Sequence, residues 1–252
     1  AGKTSVGTAV IGLLDPPGRI AGGDVRLNGE SLTRLSREAM RRVRGRRIGM
    51  IFQDPLTSLN PLYTVERQLV ETIVNNLDVG ETEAKRRAID LIDQVGIPDA
   101  ESRIRQYPHQ FSGGMRQRVV IALALCGEPD LVIADEPTTA LDVSIQAQIL
   151  ELIQRLCKDR GVGVLLITHN MGVIAEITDR VAVMYRSRLV EEGTTRQILS
   201  RPDHAYTRSL IAAVPRPGLK VLRFPRVDYI EGDGRPVAAL DVSTHWLGQA
   251  AP

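Results

Sequence analysis

The sequence predicts an α/β fold in which a parallel sheet is wrapped by helices. Three short apolar runs, Leu131–Ala134, Val162–Thr168 and Arg180–Met184, are typical of strands that are buried on both faces. Between the first two runs, Val143–Arg160 has the periodicity of a helix. A strand, a crossover helix and a second strand in this order indicate a parallel sheet with helices packed against it.

Strand and helix signals also alternate in the first part of the chain. Val25–Leu27 is predicted to be a short strand, because the turn dipeptide Asn28-Gly29 follows it directly. Ser36 is a suitable N-cap for a short basic helix that reaches Arg44.

The next segment is predicted to hold one strand and three longer helices. Arg47–Phe52 is the strand, and it leads into a proline-rich loop, Asp54–Pro61. The helices are predicted at Val65–Leu77, Glu83–Val95 and Ser112–Cys126. Gly96 follows the second of these helices, where a C-cap glycine is expected.

The two ends of the chain differ from this middle part. The sequence begins Ala1-Gly2-Lys3-Thr4 and enters an apolar, helix-like stretch, Val6–Leu14, without an initiator methionine or a preceding strand. We therefore expect the start to be a truncation. From about Pro215 proline and glycine become frequent and periodicity fades, so we expect a tail or small appendage over 215–252.

Composition restricts the class of protein. Hydrophobic residues make up 43% and charged residues 25%, which is typical of a globular domain, and the net charge of +2 does not call for a nucleic acid partner. Only two cysteines, Cys126 and Cys157, are present, which favours a reducing compartment over a disulfide framework or a metal cluster. The longest apolar run, Val119–Cys126, is too short to cross a bilayer, and we expect no secretory signal. Any membrane role is therefore expected to depend on docking to another protein.

Gly2-Lys3-Thr4 has the form of the end of a P-loop, G-x-x-x-x-G-K-[ST], that lacks its first glycine. Backbone N–H groups at a helix N-terminus attract phosphates. Lys3 would reach the β- and γ-phosphates, and the Thr4 hydroxyl would ligate Mg²⁺. Taken alone, this tripeptide is better explained by an ordinary helix start with a surface lysine, and the P-loop interpretation depends on the other motifs of the sequence.

An apolar strand ends in two carboxylates at Asp135 and Glu136. Ligands bind at the carboxyl edge of open α/β sheets, so Asp135 can hold Mg²⁺ and Glu136 is suited to be the general base for an attacking water. The alternative is a strand that is followed by an acidic turn. Pro137 fits both interpretations.

Ser112-Gly113-Gly114 opens the helix predicted at Ser112–Cys126. A serine and two glycines at a helix N-terminus form a second candidate anion site, since no side chain blocks close approach. Ser112 could instead be a simple N-cap. Two consecutive glycines destabilise a helix start more than capping requires, so phosphate recognition explains them better.

His169 and Gln53 each follow a predicted strand and are therefore expected at the same carboxyl edge. A surface or capping histidine and a solvated loop amide are the alternatives for the two side chains.

In this order, these elements resemble those of the ATP-binding subunits of ABC transporters. The resemblance covers residues 1 to about 215 and implies an ATPase that binds ATP and Mg²⁺. It implies catalytic roles for Glu136, His169 and Gln53, and metal ligation by Thr4, Gln53 and Asp135. The residues that it implies for nucleotide binding are Gly2, Lys3, Thr4, Ser5, Ser112, Gly113, Gly114, Met115 and Asp142, the last of them in the D-loop-like Ala140-Leu141-Asp142.

Further segments are similar to the oligopeptide, dipeptide and nickel importer branch. They are Phe52–Pro55 with Thr57–Pro61, and Arg201–Arg208 with Ala213–Pro215. Ser112-Gly113-Gly114 resembles the signature motif of the family. Two positions beside it depart from the family pattern, because Phe111 and Met115 replace the usual leucine and glutamine. The tail also lacks the cysteines that would hold the iron–sulfur cluster found in many members of the branch.

The resemblance implies a P-loop NTPase-type domain over 1–214, with a helical signature subdomain at about 62–126. Two such domains would face head to tail, and the second ATP-binding subunit could be an identical chain or a paralogue. The implied partners are transmembrane permease subunits and, indirectly, an extracytoplasmic solute-binding protein. The expected location is peripheral, at the cytoplasmic face of the cell membrane.

The predicted function is to power an importer of peptides or a similar small solute, and two alternatives remain. One is an ABC-type ATPase outside transport. An ATPase of DNA repair would need a long coiled-coil insertion between Gln53 and Ser112, but the segment between these residues is too short. A translation factor would need two such domains. A non-catalytic nucleotide-binding or regulatory module is the other alternative, and it is disfavoured by the presence of Glu136 and His169.

Overall fold

A computed structural model of the chain describes residues 2–139 and 141–214, which form two units. The larger unit is Thr4–Ile167, and the smaller unit joins the first residues to the segment from Thr168 onwards. Ala140 and the tail predicted over 215–252 lie outside the described residues. No helix in the described ranges combines the length and the apolar character needed to cross a membrane.

The larger unit contains eight labelled helices and five strands within the described residues. Its helices are α1 Lys3–Val10 (Lys3 itself belongs to the smaller unit), α2 Arg37–Val43, α3 Pro55–Ser58, α4 Val65–Asn76, α5 Glu81–Gln94, α6 Ala100–Arg103, α7 Gly113–Leu125 and α8 Val143–Asp159. Its strands are β1 Arg26–Leu27, β2 Glu30–Ser31, β3 Ile48–Ile51, β4 Leu131–Asp135 and β5 Gly163–Ile167.

The centre of the larger unit is a parallel sheet with the order β3-β4-β5. Ile51 pairs with Ala134, and Asp135 pairs with Ile167, so the carboxyl ends of the three strands lie level. The crossover between β4 and β5 is α8, as the sequence predicts. The predicted α/β fold is confirmed.

Alternate residues of β3 and β4 divide the core between the two faces of this sheet. On one face, Ile48 and Ile133 belong to a cluster with residues of α1 and α2. On the other face, Ile51, Val132 and Ala134 belong to a larger cluster with residues of α4, α5, α7 and α8. Both faces of β4 are therefore buried, which explains its continuous apolar sequence.

Helix starts in the larger unit are capped by the side chains that the sequence provides. The hydroxyls of Ser36, Thr64 and Ser112 accept hydrogen bonds from the backbone N–H groups of Ala39, Arg67 and Met115, respectively, at 3.2–3.3 Å. The predicted N-cap at Ser36 is confirmed. The predicted glycine after α5 is confirmed as well, because Gly96 has a left-handed φ of 74°.

The helix expected within the apolar stretch Val6–Leu14 begins and ends earlier, since α1 is Lys3–Val10. Gly12 has a φ of 64°, its N–H donates to the Ala9 carbonyl, and the N–H of Leu13 donates to the Thr8 carbonyl. This is a Schellman C-cap, so glycine ends the helix although the apolar sequence continues.

Both cysteine thiols are free and belong to the larger core cluster. Burial raises the pKa of Cys126 to about 12 and that of Cys157 to about 11. The two side chains therefore act as small apolar core residues at neutral pH.

The smaller unit is built on an antiparallel hairpin. Its elements are α9 Met171–Ile177, β6 Arg180–Tyr185, β7 Arg188–Thr194, α10 Thr195–Ser200 and α11 Ala205–Ala212. β6 pairs with β7, and the two strands are joined at Arg186 and Ser187, which both have positive φ. Val181, Val183 and Ile198 are the centre of its apolar cluster.

The expectation that three strands are buried on both faces is correct only for β4. In β6 buried and exposed residues alternate, because the strand pairs in a hairpin that packs on one side. In β5, Val164 and Leu165 are 42% and 36% exposed, because β5 is the last strand of its sheet among the described residues. An apolar run shows that a segment is a strand but does not show how many of its faces are covered.

Several short elements were not predicted. They are α3, α6, α9, α10, α11, β2, β7 and a 3₁₀ turn at Pro108–Gln110. α3 lies in the predicted proline-rich loop, where Asp54 accepts the Leu56 N–H at 2.8 Å and Pro55 occupies the first helical turn. Elements of one or two turns carry too few residues to show a period.

Gly49 of β3 lies directly against the backbone of α7. A Cβ at this position would overlap the carbonyl oxygen of Ala124. Gly49→Ala is therefore expected to lower the free energy of unfolding by about 1–3 kcal/mol, because backbone atoms must move. Urea unfolding monitored by circular dichroism measures the change. Gly22→Ala is the matched control, since a Cβ there meets no atom within 4 Å. Equal stability of the two variants would show that α7 and β3 are not packed this closely.

Candidate nucleotide-binding site

Three of the predicted site residues lie at the carboxyl edge of the parallel sheet. Asp135 ends β4, Glu136 follows it, and Gln53 stands two residues after the end of β3. The register pairs Ile51 with Ala134, and Gln53 and Glu136 each follow this pair by two residues. The parallel pairing therefore places an amide and two carboxylates at one edge, which is where open α/β sheets bind ligands.

Asp135 is a buried carboxylate, with 2% of its surface exposed. Carboxylates are rarely buried unless a partner or a metal compensates the charge. The predicted metal ligands are the Asp135 carboxylate, the Thr4 hydroxyl and the Gln53 amide, all of which offer oxygen. Oxygen donors with few carboxylates suit Mg²⁺, which takes one or two carboxylates and completes its shell with water and phosphate oxygens. The residues present thus fit this metal.

Glu136 has a backbone conformation that glutamate seldom adopts, with a φ of 46°. Its N–H donates to the Ile167 carbonyl at 2.8 Å, and its Oε2 accepts the Thr139 hydroxyl at 2.9 Å. Backbone strain of this kind clusters at functional sites, where the surrounding structure holds a side chain in place. Thr139 was not predicted as part of the site. A hydroxyl three residues after the carboxylate, in the same turn, is the signal that could have identified it.

The first turn of α1 places the Thr4 and Ser5 side chains at an exposed helix N-terminus in the larger unit. α1 packs closely on the sheet, because a Cβ on Gly7 would lie 3.2 Å from Ile167 Cδ1 and 3.4 Å from Ile133 Cγ2. The lack of a side chain at Gly7 thus lets the helix approach the sheet. The N-terminus of α1, with its N–H groups and positive dipole end, offers an anion site.

Gly2, Lys3 and His169 belong to the smaller unit. Gly2 has a φ of 81°, a backbone conformation that favours glycine, and a Cβ there would lie 3.1 Å from Ser187 Oγ. The Lys3 ammonium donates to the Thr168 carbonyl at 3.3 Å, next to the exposed His169. The loop that follows β5 therefore lies beside the Lys3 side chain.

Ser112-Gly113-Gly114-Met115 forms the N-terminal turn of α7, and the two glycines have different surroundings. A Cβ on Gly114 would lie 3.1 Å from Ile145 Cγ2, so contact with α8 accounts for this glycine. A Cβ on Gly113 would meet only Leu141 Cδ2 at an ordinary 3.8 Å. The fold does not require glycine at position 113, and this leaves close approach of an external group as its physical explanation.

Asp142 begins α8 beside this turn. Its carbonyl accepts the N–H groups of Ile145 and Gln146, but its carboxylate makes no side-chain capping bond. The Gln146 amide donates to the Leu141 carbonyl at 2.9 Å. The contacts of Leu141 and Ile145 with the two glycines bring Asp142 close to the start of α7.

Two families match the sequence. The ABC transporter family matches residues 1–139, and the family described as oligopeptide/dipeptide transporter, C-terminal region, matches residues 190–235. Two relatives from Bacillus subtilis (strain 168) are the dipeptide transport ATP-binding protein DppD and the oligopeptide transport ATP-binding protein OppD. DppD is 47% identical over 90% of this chain and OppD is 50% identical over 85%. The chain spans 68% of the length of DppD and 60% of the length of OppD.

The fold is similar to solved ATP-binding cassettes. One is a dimeric cassette in a post-hydrolysis state bound to ADP and Pi, with a TM-score of 0.67, 25% identity, and coverage of 77% of this chain and 81% of that chain. Another is a bacterial ABC transporter cassette, also dimeric, with a TM-score of 0.65, 27% identity, and coverage of 78% and 82%. The resemblance inferred from the sequence motifs is thus confirmed by sequence relatives and by fold.

Proposed function

The chain belongs to the ABC transporter family, and we propose that it is the ATP-hydrolysing subunit of an importer for peptides or a similar small solute. The observation that carries the ATPase proposal is the Asp135-Glu136 pair at the carboxyl end of β4. A buried carboxylate for the metal is followed there by a second carboxylate in a strained, hydrogen-bonded conformation. The names of the relatives support peptides as the transported class.

The N-terminus of α1 binds the phosphates of ATP in this proposal. Gly2 allows the backbone to approach the nucleotide, and the Lys3 ammonium neutralises phosphate charge. Thr4 and Ser5 present hydroxyls and N–H groups in the first helical turn, where the helix dipole favours an anion. Hydrogen bonding of Lys3 to the Thr168 carbonyl holds the ammonium beside the loop that carries His169.

Mg²⁺, when bound, supplies a Lewis acid that polarises the terminal phosphate. Asp135, Thr4 and Gln53 are the residues that would hold it. Glu136 accepts a proton from the attacking water, and the Thr139 hydroxyl orients its carboxylate. His169 donates a hydrogen bond to the terminal phosphate in its proposed catalytic role.

The turn at Ser112–Met115 and the neighbouring Asp142 act on the nucleotide of a second ATP-binding subunit. Gly113 supports this assignment, because neither packing nor backbone conformation explains its lack of a side chain. The Ser112 hydroxyl accepts the Met115 N–H and still has its own proton to donate to a phosphate. ATP would then be enclosed only when two subunits close, which couples hydrolysis to a conformational change.

In the proposed organisation, residues 1–214 form the ATP-binding domain, with a helical subdomain at about 62–126, and 215–252 form an appendage. The partners are a second ATP-binding subunit, which is identical or paralogous, transmembrane permease subunits and, indirectly, an extracytoplasmic solute-binding protein. The chain would be peripheral at the cytoplasmic face of the membrane and would transmit closure through the segment after Gln53.

Asp135→Asn tests the proposal in the importer assembled in proteoliposomes. Loss of one charge-assisted contact is expected to lower the affinity for Mg·ATP about tenfold and to reduce peptide uptake with it. Calorimetry measures affinity, and uptake of a labelled peptide measures transport. Asp130→Asn, at the amino end of the same strand, is the control: its carboxylate is exposed and pairs with Arg47 at 3.1 Å. Hydrolysis that proceeds without any peptide uptake would contradict the importer function, and equal effects of the two variants would contradict the site.

A further inference from the structure

A short segment around α2 carries an excess of positive charge that the proposed ATPase does not use. Residues 34–47 contain seven arginines and one glutamate, which is +6, whereas the whole chain carries +2. The rest of the chain is therefore at −4, so the positive charge is concentrated rather than spread. We call the exposed arginines of this segment the arginine surface; they are Arg34, Arg37, Arg41, Arg42 and Arg46. Arg47 is not part of it, because its guanidinium pairs with Glu30 and Asp130.

The folding of α2 sorts this segment into a buried face and a charged face. Met40 and Val43 are buried in the cluster beneath the helix. Arg37, Arg41 and Arg42 are on the opposite side and are exposed, and the side chains of Arg41 and Arg42 are 76% and 79% accessible. Arg34 and Arg46, at the two flanks, are exposed as well. α2 is thus a basic amphipathic helix that presents its guanidiniums outwards.

Carboxylates do little to neutralise the outward face. Glu38 is the acidic residue of α2, and it forms long salt bridges with Arg41 at 3.5 Å and with Arg42 at 3.8 Å, which contribute little at such exposed side chains. The arginines of α5 differ, because Arg86 and Arg87 both donate to Glu83 at 2.7 Å, and these bonds hold the pKa of Glu83 at about 2. The α5 arginines are therefore held by short, hydrogen-bonded salt bridges, whereas Arg41 and Arg42 of α2 share one more distant carboxylate.

An exposed apolar side chain lies beside the arginine surface. The Arg44 guanidinium donates to the Ile11 carbonyl at 2.8 Å, and Gly12 packs against Met40. Leu13 follows directly and is 46% exposed. Clustered guanidiniums next to an exposed leucine form a surface that suits a layer of anionic groups with apolar material beneath it.

We propose that the arginine surface binds the anionic phospholipid headgroups of a membrane. Guanidiniums bind phosphate oxygens in a bidentate manner, and several of them on one helix face can engage several headgroups at once. An acidic protein segment or a nucleic acid offers the same charge, but neither explains the exposed leucine. Contact with lipid would orient the chain on the bilayer independently of nucleotide and of the permease.

The proposal is tested by vesicle flotation of the 252-residue chain without nucleotide or permease, so its outcome is separate from that of the ATPase assays. Binding is expected for vesicles of phosphatidylcholine with about 30% phosphatidylglycerol, and little for phosphatidylcholine alone. Raising the salt from about 50 to 500 mM should release the protein, because the attraction is screened. Equal binding to neutral vesicles, or none to anionic ones, overturns the proposal.

Substitutions locate the surface. A triple variant that combines Arg37→Gln, Arg41→Gln and Arg42→Gln is expected to bind anionic vesicles about 100-fold more weakly. Each arginine near an anionic surface strengthens partitioning roughly fivefold, and the three effects multiply. The corresponding lysine variant should retain most of the binding. The matched control removes the same charge on the opposite face of the sheet, with Arg105→Gln, Arg155→Gln and Lys158→Gln, all at exposed positions.

Circular dichroism verifies that each variant is folded. Equal weakening by the two glutamine triples would show that net charge, not this surface, drives binding. The triple variant of α2 is also tested for binding to a mixed-sequence RNA. If it binds the RNA more weakly but binds vesicles as the parent does, the surface recognises nucleic acid and the proposal is overturned.

Discussion

Glu136→Gln is expected to leave the affinity for Mg·ATP nearly unchanged and to slow hydrolysis by about 10²-fold or more, the range for loss of a general base. Glutamine has the same length as glutamate, and its amide oxygen can still accept the Thr139 hydroxyl, which donates to Oε2 at 2.9 Å. The amide cannot accept a proton from water at neutral pH, so the chemical step alone should suffer. Phosphate release at saturating ATP measures turnover, and calorimetry measures binding.

The chain offers a matched control for this substitution in Glu128. Glu128 also has a left-handed backbone, with a φ of 53°, and precedes β4 at its other end, where it pairs with Arg87 at 2.8 Å. Glu128→Gln therefore makes the same chemical change in the same backbone conformation but away from the carboxyl edge. Turnover should stay at the parent level. Unchanged turnover in Glu136→Gln would remove the general-base assignment, and equal losses in both variants would point to a defect in folding.

The position of the candidate site could be predicted because each of its parts depends on local sequence. Asp135 and Glu136 follow an apolar run directly, and Gln53 follows another. Once both runs are strands of one parallel sheet, their ends must meet at the same edge. The caps at Ser36 and Ser112 were likewise predictable, because a cap depends on residues only three positions apart.

Features that depend on tertiary contacts could not be predicted in this way. The sequence shows two equivalent glycines at 113 and 114, but only the structure shows that Ile145 explains one of them and leaves the other unexplained. The left-handed backbone of Glu136 and its bond to Thr139 also depend on how the turn after β4 meets the Ile167 carbonyl. Exposure of Val164 and Leu165 depends on which strands flank β5, which an apolar pattern does not report.

Gly113→Asp is expected to abolish ATP hydrolysis in the assembled ATPase while leaving the nucleotide affinity of the isolated subunit nearly unchanged. The chain should fold normally, because a Cβ at this position meets only Leu141 Cδ2 at 3.8 Å, and an acidic residue at a helix N-terminus is favourable. If the start of α7 faces the ATP bound to the second subunit, the new carboxylate meets the terminal phosphate and repels it. The defect should therefore appear only when two subunits close.

Gly113→Asn separates charge from size in this test. Asparagine has the volume of aspartate without its charge, so it should retain more hydrolysis than the aspartate variant if repulsion is the cause. Nucleotide affinity of each isolated variant is measured by calorimetry, and hydrolysis by phosphate release from the assembled complex. Isolated Gly113→Asp subunits that bind ATP much more weakly than the parent would show that this turn acts on the nucleotide of its own subunit. The head-to-tail arrangement would then be wrong.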